Sequence, residues 1–286
     1  MPFDALQTAH VRLHGDEKLA PLGEPARVWA IGSLYGRYGA LTQLHEELAG
    51  KIRPKDRIVY LGNYLGSHTL WTGEGLALLD ELIAFRNAVI AIPGFFASDV
   101  VFLKGGHEDL LIQLLRLPFQ RQPAQWLVDA LDNGLESYLA SYGMFESLIA
   151  NIDKGLIALN HWANHMRKAM RAHAGHETLL ENLNSAALTA YSHFSGQIML
   201  VPSSLDPRLP LHLQYENLVC PSADADIASL RAYAGCSRLV RGGGSKHMVF
   251  NEKTFVLDLD GGDSLNGKLH AVCLDPQGHL IDHLSY

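Results

Sequence analysis

The 286 residues include 23 Lys+Arg against 30 Asp+Glu, a formal net charge of −7, and 48% are hydrophobic. That composition excludes a disordered chain and argues against nucleic-acid binding through a basic surface, while leaving ample material for a buried core. Cys220, Cys236 and Cys273 show no C-x-x-C spacing, and no apolar leader or uninterrupted span is visible, so the expectation is a cytoplasmic protein that does not enter a membrane.

Residues 1–25 read as a loose lead-in, with Pro21, Gly23 and Pro25 delaying regular structure. RVWAI (27–31) then reads as a strand, and Ala40, Leu41, Leu44 and Leu48 follow at helical spacing. RIVYL (57–61) is a second strand before the helix-like GEGLALLDELIAFRN, and VVFL (100–103) a third before EDLLIQLLRL. Three strand–loop–helix units in succession predict an α/β core with parallel pairing. Residues 124–191 are mainly helical by pattern, with Trp126, Leu127, Ala130, Leu131 and Leu135 on one face. QIMLV (197–201), SRLV (237–240), TFVLDL (254–259) and LHAVCL (269–274) read as later strands that build a second sheet within one domain over residues 1–286.

Each early strand runs into a glycine-framed loop: GSLYGR (32–37), GNYLGSH (62–68) and KGGHED (104–109). Loops at the carboxyl ends of such strands form the ligand crevice of open α/β sheets. In spacing and order these segments, with LHEEL, FLKGGHEDLL, SLDPRLPL and GKLHAVCLD, resemble the calcineurin-like metallophosphoesterases of the phosphoprotein-phosphatase type. The resemblance implies an αββα sandwich of two mixed sheets flanked by helices, with residues 124–191 as an extra helical section. It also implies hydrolysis of phosphoproteins or dinucleoside polyphosphates by two divalent metals such as Mn or Fe/Zn.

The chain departs from that pattern where the metals bind. The family's first aspartate and histidine correspond to Ser33 and Tyr35, its bridging aspartate to Asn63, and its metal-binding asparagine to Gly106. Pro202 and Gly243 stand for its two later histidines, and Gly66 and Ser67 for the Asp-Arg pair of the second motif. His107 and Glu108 match. Two divalent ions 3.5 Å apart repel by about 19 kcal/mol at an effective dielectric of 20, so anionic ligands are indispensable. Hydroxyl, amide, glycine and proline do not supply them, and no metal cofactor is expected. His107 is then a vestigial general acid, more suited to hydrogen-bonding in its loop, with Glu108 near the positive end of the next helix.

Other residues offer weaker leads. Arg37, Tyr35 and Asn63 face the expected crevice, and Arg241 and Lys246 in RGGGSKH are candidate anion holders, although that segment lacks P-loop spacing. Tyr35, Tyr64 and Trp71 either stack a ring or fill the space of the ions. His161 and His165, with His173 and His176 beyond, suit a solvated histidine face better than a zinc site, and Cys273 reads as core. The reading is a degenerate, catalytically inactive pseudophosphatase that binds a phosphorylated ligand or a protein partner. An active phosphoesterase with an atypical metal site, and a metal-independent enzyme of changed chemistry, are the alternatives.

Overall fold

The computed structural model describes residues 18–65, 74–120, 122–190, 196–219, 230–243, 254–262 and 267–286. In chain order its elements are β1 (Leu19–Gly23), β2 (Arg27–Ile31), α1 (Tyr38–Ala49), β3 (Asp56–Tyr60), α2 (Gly75–Ala91), β4 (Val100–Phe102) and α3 (Gly106–Leu114). The helical section contributes α4 (Pro123–Ala130), α5 (Glu136–Ser141), α6 (Phe145–Ile149), α7 (Leu156–Arg171) and α8 (His176–Glu181). Then come β5 (Ala186–Thr189), β6 (Ile198–Val201), α9 (Tyr215–Val219), β7 (Arg238–Arg241), β8 (Val256–Asp258), β9 (His270–Leu274) and β10 (Leu280–Ser285).

Two five-stranded sheets result, ordered β10-β9-β2-β3-β4 and β1-β5-β6-β7-β8. In the first, β2, β3 and β4 are parallel and β9 and β10 antiparallel; in the second, only the β5–β6 pairing is antiparallel. Both sheets are therefore mixed. Because side chains alternate along a strand, β2 sends Val28 and Ala30 one way and Trp29 and Ile31 the other. Val28 and Ala30 join Val59, Val101, Ile198, Leu200, Val240 and Val272 in a cluster drawn from both sheets, the inside of the sandwich. Trp29, Ile31, Tyr60 and Phe102 pack outward with Leu44, Leu79, Leu111 and the helical section, while Met199, Val201, Leu239 and Leu218 form a third cluster. With both faces covered, these strands read as nearly continuous apolar runs. Each wholly buried aliphatic side chain contributes about 1.5–3 kcal/mol.

Two expectations need correction. The lead-in is not loose throughout: Leu19–Gly23 is a strand despite Pro21, tolerated because β1 lies at a sheet edge. The section from 124 to 191 is mainly helical as expected, although Ala186–Thr189 near its end is β5 and α4 gives way to a π-turn at Leu131–Leu135 with Gly134 at φ 87°. Leu127, Ala130 and Leu135 are nevertheless buried, with Trp126 and Leu131 packed against their cluster. Finally, β9 does not extend the second sheet. It pairs antiparallel with β2 in the first, carrying the buried Cys273, whose thiol burial pushes up to about 12.

Candidate active site: a crevice filled by its own groups

Parallel β2, β3 and β4 deliver their loops to one edge of the first sheet. Main-chain bonds join the first two loops: the Tyr35 N–H donates to the Asn63 carbonyl (2.7 Å) and Gly36 to Tyr64 (2.9 Å). The Ser33 N–H donates to the Gly242 carbonyl (3.3 Å), tying in the second sheet. The second and third loops meet glycine to glycine. Gly62 adopts φ +94°, and a Cβ there would lie 2.5 Å from the Gly105 nitrogen. No side-chain-bearing residue fits that approach without displacing backbone.

Two polar centres occupy this edge. In the first, Asn63 Nδ2 donates to Ser33 Oγ (3.0 Å), while Asn63 Oδ1 accepts a long bond from the His107 N–H (3.4 Å). A Cβ built on Gly243 would stand 3.0 Å from Tyr35 Oη, 3.2 Å from Ser33 Oγ and 3.3 Å from Asn63 Nδ2. One on Gly106 would meet the Val219 carbonyl oxygen at 2.7 Å and Asn63 Oδ1 at 4.0 Å. Ser33, Tyr35, Asn63, Gly106 and Gly243 thus converge, and Pro202 lies beside them with its carbonyl against Gly242. Tyr35 and Asn63 hold left-handed backbone at φ 46° and 52°. Asparagine accepts that conformation more readily than a bulky aromatic, so Tyr35 stores local strain.

In the second centre, the Glu108 carboxylate accepts the N–H groups of Asn63 (2.8 Å), Tyr64 (2.9 Å) and Gly105 (2.9 Å), plus a short bond from Tyr138 Oη. Burial pushes this carboxyl above the usual range, opposed by those four donors. Glu108 sits in the first turn of α3, where the helix dipole favours its charge.

Among the described residues, the donors at the aligned positions do not fit two divalent metals. At the aligned positions stand a hydroxyl and an amide bonded to each other and a phenol whose ring lies edge-on to His107, while the Glu108 carboxylate is held by N–H groups. Among the described residues no group of three or more His, Cys, Asp or Glu could hold a metal ion. Ser33, Tyr35, Asn63 and His107 are all at least 90% buried.

The remaining leads fall elsewhere. Arg241 forms a buried ion pair with Asp258 (Nε to Oδ2, 2.9 Å), so its charge already has an anion. Arg37 is half-buried, lies over the Tyr35 ring (5.5 Å to the centroid) and donates to the Gly262 carbonyl. Lys246, Gly66, Ser67 and Trp71 lie outside the described residues. Tyr64 is wholly buried and donates to the Leu103 carbonyl (2.7 Å), which makes it a filler of the core. The four helical histidines do not share one solvated face. His161 and His165 are exposed beside a cavity of about 440 Å³, but His176 is fully buried between Tyr142 Oη and Asp80 Oδ1, both at 2.9 Å, and stacks on His173. Left-handed Gly175, at φ 86°, separates α7 from α8, which His176 opens.

Sequence reasoning missed Tyr138 and Val219. In ESYLAS, Tyr138 looks like any core aromatic, and a main-chain carbonyl leaves no residue-type signal.

No family model and no curated protein sequence matches the chain. Among solved structures, it is similar to a protein serine/threonine phosphatase from Saccharomyces cerevisiae with similarity to human phosphatase PP5, at TM-score 0.50 and 11% identity over 94% of this chain and 83% of that one. It is also similar to a candidate diadenosine tetraphosphatase (0.48, 15%, 93% and 97%) and to a cold-active protein-tyrosine phosphatase of a psychrophile, Shewanella sp. (0.49, 11%, 100% and 88%). The first of these likenesses, with the two mixed sheets and the order of the loops, shows that this chain has the metallophosphoesterase-like αββα fold.

Proposed function

We propose that the chain is a catalytically silent protein of this fold, a pseudophosphatase whose role is to bind a protein partner in the cytoplasm. The observation that carries the reading is the crevice centre, where Ser33, Tyr35, Asn63 and Gly243 pack on one another and Val219 covers Gly106. Hydrolysis on this fold would need a metal-acidified water, and nothing at these positions would hold the metal. Binding of a phosphorylated ligand in the crevice is less well supported than a protein partner, because Arg241 is committed to Asp258 and the crevice side chains are buried. Among the described residues no helix is long and apolar enough to cross a membrane.

One observation favours residual hydrolysis: His107 stands beside Glu108 as the resembled motif requires. Turnover of p-nitrophenyl phosphate with added manganese decides between them. The proposal expects rates equal to the blank; turnover removed by His107→Ala would overturn it.

A further inference from the structure

A groove of about 960 Å³ runs between α3, α7 and α8. Its apolar floor is the buried Leu111, Met170, Leu180 and Leu183, over which the partly exposed Ile112 and Leu115 and the half-exposed Leu213 rise. Its charged lining is Lys18, Lys104, Arg116, Arg167 and Arg171 against Glu177, Glu181 and Glu216, five positive and three negative. A locally positive groove on a chain of net charge −7 is a departure from the whole. Part of this charge is met inside the fold, since Arg171 pairs with Glu177 (2.6 Å) and Lys104 with Asp109 (3.2 Å). Arg167 instead donates to the Leu115 carbonyl (2.8 Å) and Lys18 Nζ to the Glu181 carbonyl (3.1 Å). Carbonyls satisfy these donors, and Arg167 also acts electrostatically on Glu177.

We infer that this groove docks an acidic amphipathic helix of a partner protein, leucine-like face inward and carboxylates toward Arg167 and Lys18. Ile112 and Leu115 on one side and Leu213 on the other leave apolar surface above the buried floor, which suits the leucine face of an incoming helix. The cations supply charge complementarity and register. A single-stranded nucleic acid fits less well, because the lining is mainly aliphatic and offers only His212 as a stacking ring. An anionic membrane fits less well too, since the apolar lining is concave and the chain as a whole would be repelled.

The test uses fluorescence anisotropy on the full chain with two synthetic amphipathic peptides of identical leucine face, one with a glutamate polar face and one with lysine. The acidic peptide should bind about tenfold more tightly than the basic one and weaken as salt rises. Lys18→Glu, at an exposed position, and Arg167→Glu should each weaken it by about tenfold. Equal affinity for both peptides, no binding of the acidic one, indifference to both charge reversals, or preferential binding to phosphatidylserine vesicles would each overturn the inference. Phosphatase turnover in the same preparation would sink the non-catalytic reading alone, because neither Lys18 nor Arg167 belongs to the crevice loops.

Discussion

Asn63 faces two ways, and its two sides differ instructively. Its main-chain N–H points at Glu108, whose carboxylate gathers three loop N–H groups and a tyrosine hydroxyl into one charged knot. Its side chain points at Ser33, in a neutral contact of two small groups at positions where the resembled motif has aspartates. The Glu108 centre fixes the path of the second and third loops; the Ser33–Asn63 centre merely occupies space beside them. A loop frame and the chemistry it can carry are thus separable. The frame depends on glycines and Glu108, while the chemistry would depend on side chains that can change without moving the backbone.

The sharpest way to break this comparison is Glu108→Ala. It strands three buried N–H groups and a phenol, and should cost about 3–5 kcal/mol in urea unfolding. A cost near 1 kcal/mol would mean that the knot does not hold the frame. Gly106→Ala probes the filled side. Alanine at a helix start should be neutral or helpful where there is room, but here its methyl group meets the Val219 carbonyl, so a loss of about 1–3 kcal/mol is expected. A stabilised variant would show open space.

His270, whose carbonyl accepts the Gly32 N–H (2.9 Å), tests the frame through pH. Burial first, then the positive charges of His283, Lys268 and Arg37, lowers its imidazole to about 4. A folded value below the unfolded one means that this contribution is present above about pH 6.5 and is lost as pH falls toward 4, for about 2 kcal/mol after allowing for partial exposure. Urea unfolding at the two ends of that window should show it, and His270→Gln should flatten the curve; an unchanged slope would contradict the assignment. Smallest is Ser33→Ala, which removes one neutral hydrogen bond and should cost about 1 kcal/mol. A loss as large as that of Glu108→Ala would erase the distinction between the two centres.

Much of the fold was legible because three strand–loop–helix units carry strong apolar runs and helical spacing. Leu19–Gly23 was not, because an edge strand admits the proline that normally marks a turn. The place of His270–Leu274 was not either, since local pattern identifies a strand but not its neighbour. In the candidate site, Ser33, Asn63, Gly106 and Gly243 were readable as departures from a motif. That they meet, and that Val219 fills the gap, was not readable, because closure there is made by main chain and by contacts distant in sequence. Arg241 looked like an anion holder until Asp258, on the neighbouring strand, supplied its counter-charge.

The central claim is the proposal that Ser33, Tyr35, Asn63 and Gly243, packed together, do not support a dinuclear metal site. Metal content after dialysis against manganese, followed by calorimetric titration, tests it most directly, with Ser33→Asp measured alongside. The account predicts no stoichiometric metal in either protein, because a single restored carboxylate leaves the other positions without ligands. About two equivalents of tightly held metal in the unaltered chain would contradict it.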